Sequence, residues 1–386
     1  MSLTVCISGW SGASAPHSQG GLVWHYLDWA LGFQDAGATV LWLEADRSLR
    51  EGADSAANAA LVRNRLAEFG LDCRVVLWDQ NHDPRRRCEG VAEVSLAEAH
   101  ETADLFVDLA YFYSETIVRP FRRSAFVDGD PGVVQSSLER GELRLPPYSS
   151  YFTFSDTLPT GHARFPSCGI DWHHTRPPVH LPSWPVQPPP GEAPYTTITN
   201  WWARDKDWFH HEGRWQENSK RAAWMPYLDA PKQAGVDFEA AVTLTSAEVD
   251  QSERAKLEEH GWSVRTLHEV PFGPREYQRY VQGSRGEFAC AKPAYVMLHA
   301  GMIYPRSLHY LASGRPVVIQ DTGPVSYMEE PPCRGLFRFR SPDEAVRHLQ
   351  EADRHHEQFS LEARSAAEDL FSAGKVAEHV LNVSLG

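Results

Sequence analysis

The chain has 386 residues, with 51 acidic side chains against 37 basic ones and a formal net charge of −14. That length suggests two domains, and the acidic balance without a long Lys/Arg run excludes a protein that grips nucleic acid through a basic face. Six cysteines lack CxxC spacing, and no run of about 18 apolar residues exists, so neither a disulfide framework nor a membrane span is expected, and the cytoplasm is the expected location.

From the N-terminus, LTVCISGW predicts a buried strand, SGASAPHSQGG a glycine- and serine-rich loop, and LVWHYLDWALGFQDAG an amphipathic helix ending at Gly37. ATVLWLE is the next strand, with Glu44 at its carboxyl end, which completes a βαβ unit. Alternation continues with a helix at SAANAALVRNRLAEFG, a strand at CRVVLW, a helix at SLAEAHETA and a strand at DLFVDLA. SAFVDGDPG and SYFTFSDT predict two more short strands that end in acidic loops. Eight prolines then crowd the stretch from Arg176 to Pro194, which suits neither a helix nor a central strand and predicts a stiff connector. Residues 1–176 are therefore expected to form one domain, 177–194 a linker, 195–350 a second domain and 351–386 a set of terminal helices.

The second half repeats the pattern. YTTITNWW, FEAAVTL, WSVRTL and GEFACAK predict strands, separated by helices at SKRAAWMPYLDAPKQAG, SERAKLEEHG and REYQRYVQGS, and two or three helices close the chain. In YLASGRPVVIQDTG, Gly314 caps a helix, Pro316 prevents its continuation, and Val317 to Ile319 form a strand apolar on both faces. Asp321, Thr322 and Gly323 turn the chain at that strand's carboxyl end, where open α/β sheets hold ligands.

Four segments in order, SQGGLVWHYLDWALGFQDAGATVLWLE, TTITNWW, GSRGEFACAK and YPRSLHYLASGRPVVIQDTG, resemble the GT-B nucleotide-sugar glycosyltransferases. The nearest likeness is to a bacterial group distantly related to glycosyltransferase family 4, and it spans essentially the whole chain. It implies an α/β fold of two Rossmann-like, doubly wound domains facing across a cleft. The first would hold a hydroxylated acceptor, for which a secondary metabolite fits, and the second a nucleotide-diphosphate sugar. The terminal helices would return to the first domain. No cofactor beyond the donor substrate and no metal is implied.

Residue chemistry agrees with a phosphate site. Arg306 and Ser307 fall in the first turn of a helix that opens at Pro305, where free N–H groups and a partial positive charge suit a diphosphate. Gly20 and Gly21 permit close backbone approach at another helix start; an ordinary strand-to-helix turn is the alternative. Lys292, which follows the apolar strand EFACA, and Lys220, where the resemblance implies a basic residue, are candidates to neutralise the departing diphosphate, against a role as plain surface lysines. For the general base the candidates are His17, Asp128 and Asp130, with Asp156 also in reach of the binding edge; His25 reads as core. Asp130 equally opens a turn at Pro131-Gly132. The adjacent pairs His173-His174 and His210-His211 lack zinc-site spacing.

One departure matters. Family 4 commonly carries two glutamates before its Gly-x-Pro turn; His309 and Gly301 stand in their places, so ribose and sugar contacts would fall to Asp321, Thr322 or Glu287. Two other functions share the architecture: a nucleotide-sugar 2-epimerase, which would turn over donor alone, and a non-catalytic partner protein. Nucleotide, sugar, stereochemistry and oligomeric state are left open by the sequence.

Overall fold

The computed structural model describes residues 3–13, 19–45, 55–78, 94–188, 191–202, 208–267, 272–328 and 335–386. Among them, β1 (Thr4–Gly9), β2 (Thr39–Ala45), β3 (Cys73–Trp78), β4 (Leu105–Asp108), β5 (Ser124–Asp128), β6 (Ser150–Thr153) and β7 (Trp172–His174) form a parallel sheet. Its order is β3-β2-β1-β4-β5-β6-β7. Helices α1 (Gly20–Asp35), α2 (Ser55–Ala67), α3 (Leu96–Thr102), α4 (Glu115–Val118) and α5 (Val133–Glu139) connect these strands.

A second parallel sheet begins at β8 (Tyr195–Thr199), which is followed by an antiparallel hairpin of β9 (Trp208–His211) and β10 (Arg214–Glu217). It continues through β11 (Phe238–Val242), β12 (Trp262–Thr266), β13 (Gly286–Ala289), β14 (Val317–Gln320) and β15 (Leu336–Phe339), in the order β12-β11-β8-β13-β14-β15. The helices here are α6 (Lys220–Trp224), α7 (Ala230–Ala234), α8 (Glu248–Glu259), α9 (Pro274–Gln282), α10 (Pro293–Met297) and α11 (Pro305–Ala312), then α12 (Pro342–Arg354), α13 (His356–Leu370) and α14 (Ala373–Leu385). Both sheets wind outward in two directions from their first strand, which is the doubly wound Rossmann pattern expected from the sequence.

Alternation within each strand explains the layering. Val5 and Ile7 of β1 enter one apolar cluster and Cys6 the opposite one; Trp42 and Leu43 of β2 divide likewise. Val317 and Ile319 of β14 face the same cluster as Val5, while Val318 faces a third. One core is therefore shared by both sheets, through α1, α9, α11, α13 and α14.

The structure adds detail to several sequence expectations. SKRAAWMPYLDAPKQAG is α6, a single 3-10 turn over Met225–Tyr227 and α7, because Pro226 and Pro231 each remove a backbone donor. The proline-rich stretch is stapled along its length: Val179 exchanges backbone hydrogen bonds with Phe371 and Ala373, and Trp184 is fully buried against Trp24. Trp201 and Trp224 are also core, whereas Trp208 and Trp215 on the hairpin are exposed.

At Gly32 of α1, an added Cβ would lie 2.6 Å from the carbonyl oxygen of Ala373, where α14 begins. Alanine would favour the helix by about 1 kcal/mol. The overlap outweighs that, and Gly32→Ala is expected to lower stability by about 1–3 kcal/mol in urea unfolding.

Candidate active site

Open α/β sheets bind ligands at the switch point, where neighbouring strands leave in opposite directions. In the second sheet that point lies between β8 and β13. Two cations rest on its carbonyls: the Arg306 guanidinium donates to the Ile198 carbonyl in β8, and Lys220 Nζ donates to the Cys290 carbonyl just past β13 at 2.6 Å. Each is on the helix that follows a strand or loop at this edge, α11 for Arg306 and α6 for Lys220, whose N-cap Ser219 accepts from Ala222 N. Arg306 Nε also donates to Glu287 Oε1 at 2.6 Å, and the other oxygen of this buried carboxylate has no hydrogen-bond partner. Lys220 lies 5.2 Å from the Tyr304 ring centre. Burial, then the charges of Arg306 and Lys292, push the Lys220 ammonium down to about 7.

Lys292 precedes α10 and reaches the first domain, where its Nζ is 3.3 Å from Asp130 Oδ1. The same carboxylate oxygen accepts the Tyr295 hydroxyl, and Tyr111 OH approaches Asp130 Oδ2 at 3.4 Å. Asp130 thus crosses the boundary between the two sheets to meet Lys292. Asp128, two residues earlier, does not: it is fully buried and accepts from Gln135 Nε2 at 2.7 Å and from Asp130 N at 2.9 Å. Burial raises its carboxyl to about 7, and its visible work is to hold the loop that presents Asp130. His17 lies outside the described residues.

The other predicted residues are placed as follows. Ser307 is fully buried, with its hydroxyl unpartnered. Asp321 is paired with Arg338 and, at 2.7 Å, with Arg340 Nε. Thr322 Oγ1 accepts from Met302 N and donates to Met302 O, so with Gly323 it buttresses the loop before α11. Gly20 and Gly21 begin α1 and admit the second domain: Cβ atoms there would lie 2.4 Å from Gly273 O and 2.9 Å from the Tyr277 ring. Lys220, Lys292, Arg306 and Asp130 come together, whereas Asp321 is tied to Arg338 and Arg340, Ser307 is buried, and the close approach at the glycine pair is to Gly273 and Tyr277.

His309 and Gly301 account for the missing glutamates. Gly301 has φ +59° and would place a Cβ 2.5 Å from Pro324 O, so no glutamate fits this backbone. His309 is turned toward α1. Its Nε2 lies 2.7 Å from Asp28 Oδ2, its Nδ1 2.8 Å from the Tyr277 hydroxyl, and its ring stacks on Trp184 at 4.3 Å. His25, read as core, is half-buried on α1 and held neutral by burial down to about 4, within electrostatic reach of Asp28 and Asp130. Among the described residues no group of His, Cys, Asp and Glu is placed to hold a metal, and no helix is long and apolar enough to cross a membrane.

Asp28 and His309 are each about 1% exposed. Replacing His309 by Ala leaves the Asp28 carboxylate buried and short of a partner, so it is expected to destabilise the chain by about 2–4 kcal/mol in urea unfolding.

No family model and no curated protein matches the sequence. Solved structures do match over its whole length. HepE of Anabaena, in complex with UDP-glucose, superposes with a TM-score of 0.55 at 11% identity, covering 99% of both chains. An alpha-glucosyltransferase in complex with UDP and a 13-mer DNA containing an HMU base gives 0.58 at 11% identity, again with 99% of both chains. AviGT4, a glycosyltransferase involved in avilamycin A biosynthesis, gives 0.54 at 14% identity, covering 99% of this chain and 96% of its own. The chain therefore has the GT-B fold.

Proposed function

We propose that the chain is a glycosyltransferase that moves a sugar from a nucleoside diphosphate to a hydroxyl of an acceptor, with a secondary metabolite as a fitting acceptor class. The observation that carries this reading is the convergence of Lys220, Lys292 and Arg306 at the switch point of the second sheet. The structural neighbour HepE holds UDP-glucose, which supports the same donor class here. Glycosyl transfer breaks the bond from the sugar's anomeric carbon to the diphosphate, and the electron pair goes to the phosphate oxygen. Fixed cations stabilise that developing charge.

Asp130 is the base in this scheme. Its carboxylate now shares Lys292 and Tyr295. A bound diphosphate competes for Lys292, which frees Asp130 to take the proton of the attacking hydroxyl as the new glycosidic bond forms. Ser307 and the Asp321–Gly323 turn complete the wall behind the diphosphate. Closure of the two domains on donor and acceptor keeps water from hydrolysing the donor.

The pH dependence follows from Lys220. With its pKa near 7 in the free protein, it is mostly neutral at pH 8. A bound diphosphate favours the ammonium and raises that pKa, so binding takes up a proton at pH 8 and almost none at pH 6. Affinity accordingly falls as pH rises above 7. Calorimetry with UDP, TDP, GDP and ADP in buffers of different ionisation enthalpy measures this. One diphosphate is expected to bind with proton uptake at pH 8, and Lys220→Met to remove the uptake and weaken binding about tenfold or more. Absence of binding by all four nucleotides contradicts the donor-binding reading and favours the partner-protein alternative.

A further inference from the structure

The first sheet has its own switch point, between β1 and β4. The two strand ends are tied there by Leu109 N, which donates to Ser8 Oγ at 2.8 Å. The chain then runs Leu109-Ala110-Tyr111-Phe112-Tyr113-Ser114 into α4, without a charged side chain. Tyr113 is buried, with the Phe106 and Trp78 ring centres 5.7 and 5.3 Å away. Tyr111 and Phe112 are 44% and 46% exposed. Single exposed apolar side chains are ordinary, but two adjacent aromatic rings at the ligand-binding edge of a sheet point to a binding surface.

Neither ring is loose. Ala110 N donates to the buried Asp108 carboxylate at 2.7 Å, which fixes the start of the turn. The Phe112 ring leans on that of Tyr113, with centres 4.7 Å apart. Tyr111 OH lies 3.4 Å from Asp130 Oδ2, while Lys292 and Tyr295 hold the other oxygen of that carboxylate. A molecule resting on the Tyr111 ring therefore has Asp130 at its edge. The surface also selects what rests there. Aromatic faces favour flat, weakly polar bodies. The charges felt most at Tyr111 are those of Asp130 and Asp128, which turn away an anion. A sugar needs polar side chains for its several hydroxyls, and here Ser114 Oγ is already engaged with Thr116 Oγ1 at 2.7 Å.

We infer that Tyr111 and Phe112 set the acceptor specificity, by stacking a flat, uncharged aromatic body whose hydroxyl is directed to Asp130. The inference rests on the glycosyltransferase reading and names the acceptor class within it.

The test measures binding apart from transfer. Equilibrium dialysis gives the dissociation constant of 2-naphthol, a flat neutral phenol, for the full-length protein with and without UDP, TDP, GDP or ADP. Decahydro-2-naphthol, the saturated and non-planar form of the same skeleton, and methyl glucoside serve as competitors. Saturable 2-naphthol binding is expected, with decahydro-2-naphthol competing about three- to tenfold more weakly and methyl glucoside not at all. Phe112→Leu and Tyr111→Leu should each weaken 2-naphthol binding about three- to tenfold, whereas Tyr111→Phe, which keeps the ring, should leave it nearly unchanged. Both side chains are half exposed, so these variants are expected to fold. The inference is overturned if 2-naphthol does not bind saturably, if leucine at both positions leaves its affinity unchanged, or if either competitor displaces it as well as 2-naphthol itself. Nucleotide binding without 2-naphthol binding sinks the acceptor assignment and leaves the donor site standing. The expected 2-naphthol pattern with no nucleotide bound supports the aromatic surface and contradicts the transfer reading instead.

Discussion

The way the two sheets face each other rests on a polar contact inside an apolar seam. Asp28 of α1 meets His309 of α11, and Tyr277 of α9 completes the group. Around it Trp24, Trp184, Leu308 and Leu311 belong to a core that both sheets share. A buried carboxylate tolerates few alternative partners, so this contact sets the register of α1 against α9 and α11 more strictly than apolar packing alone would. The glycine pair at the start of α1 serves the same end, since Tyr277 and the Gly273 carbonyl occupy the space where side chains would stand.

That register brings Asp130 to Lys292 and Tyr295. The second sheet offers three cations at its switch point, and among the described residues the carboxylates in direct contact with them are Glu287 and Asp130. Glu287 belongs to the same domain and is a fixed counterion. Asp130 comes from the other domain, and in the proposed scheme a diphosphate takes its place on Lys292. In the proposed scheme, crowded cations with a replaceable carboxylate await the diphosphate, and Lys220 is held down to about 7 first by burial and then by the charges of Arg306 and Lys292.

Much of this was legible in the sequence, for physical reasons that also mark the limits. Strands such as VVI at 317–319 and VCI at 5–7 declare themselves because a parallel strand is apolar on both faces. β15 did not, since Arg338 interrupts LFRF and the strand lies at the sheet edge. The β9–β10 hairpin is likewise absent from the expected elements, although its turn at Glu212 and Gly213, both with positive φ, lies between aromatic segments. Lys292 and Arg306 were candidates because one follows a strand and the other opens a helix at the binding edge, and Lys220 because the resemblance implies a basic residue there. The choice between Asp128 and Asp130 was not, because it depends on which carboxylate Gln135 captures. The role of His309 depends on Asp28, 281 residues away in the chain, and no local pattern encodes that contact.

The central claim is that Asp130 holds the place of the diphosphate and then serves as base. Asp130→Asn keeps the shape and removes the charge. With the nucleotide that binds best, and its sugar as donor, the dissociation constant and the turnover to an acceptor are measured on the same preparation. The account predicts tighter nucleoside diphosphate binding, because the internal competitor is gone, together with turnover reduced about 10²- to 10⁴-fold. Weaker binding with unchanged turnover would contradict it.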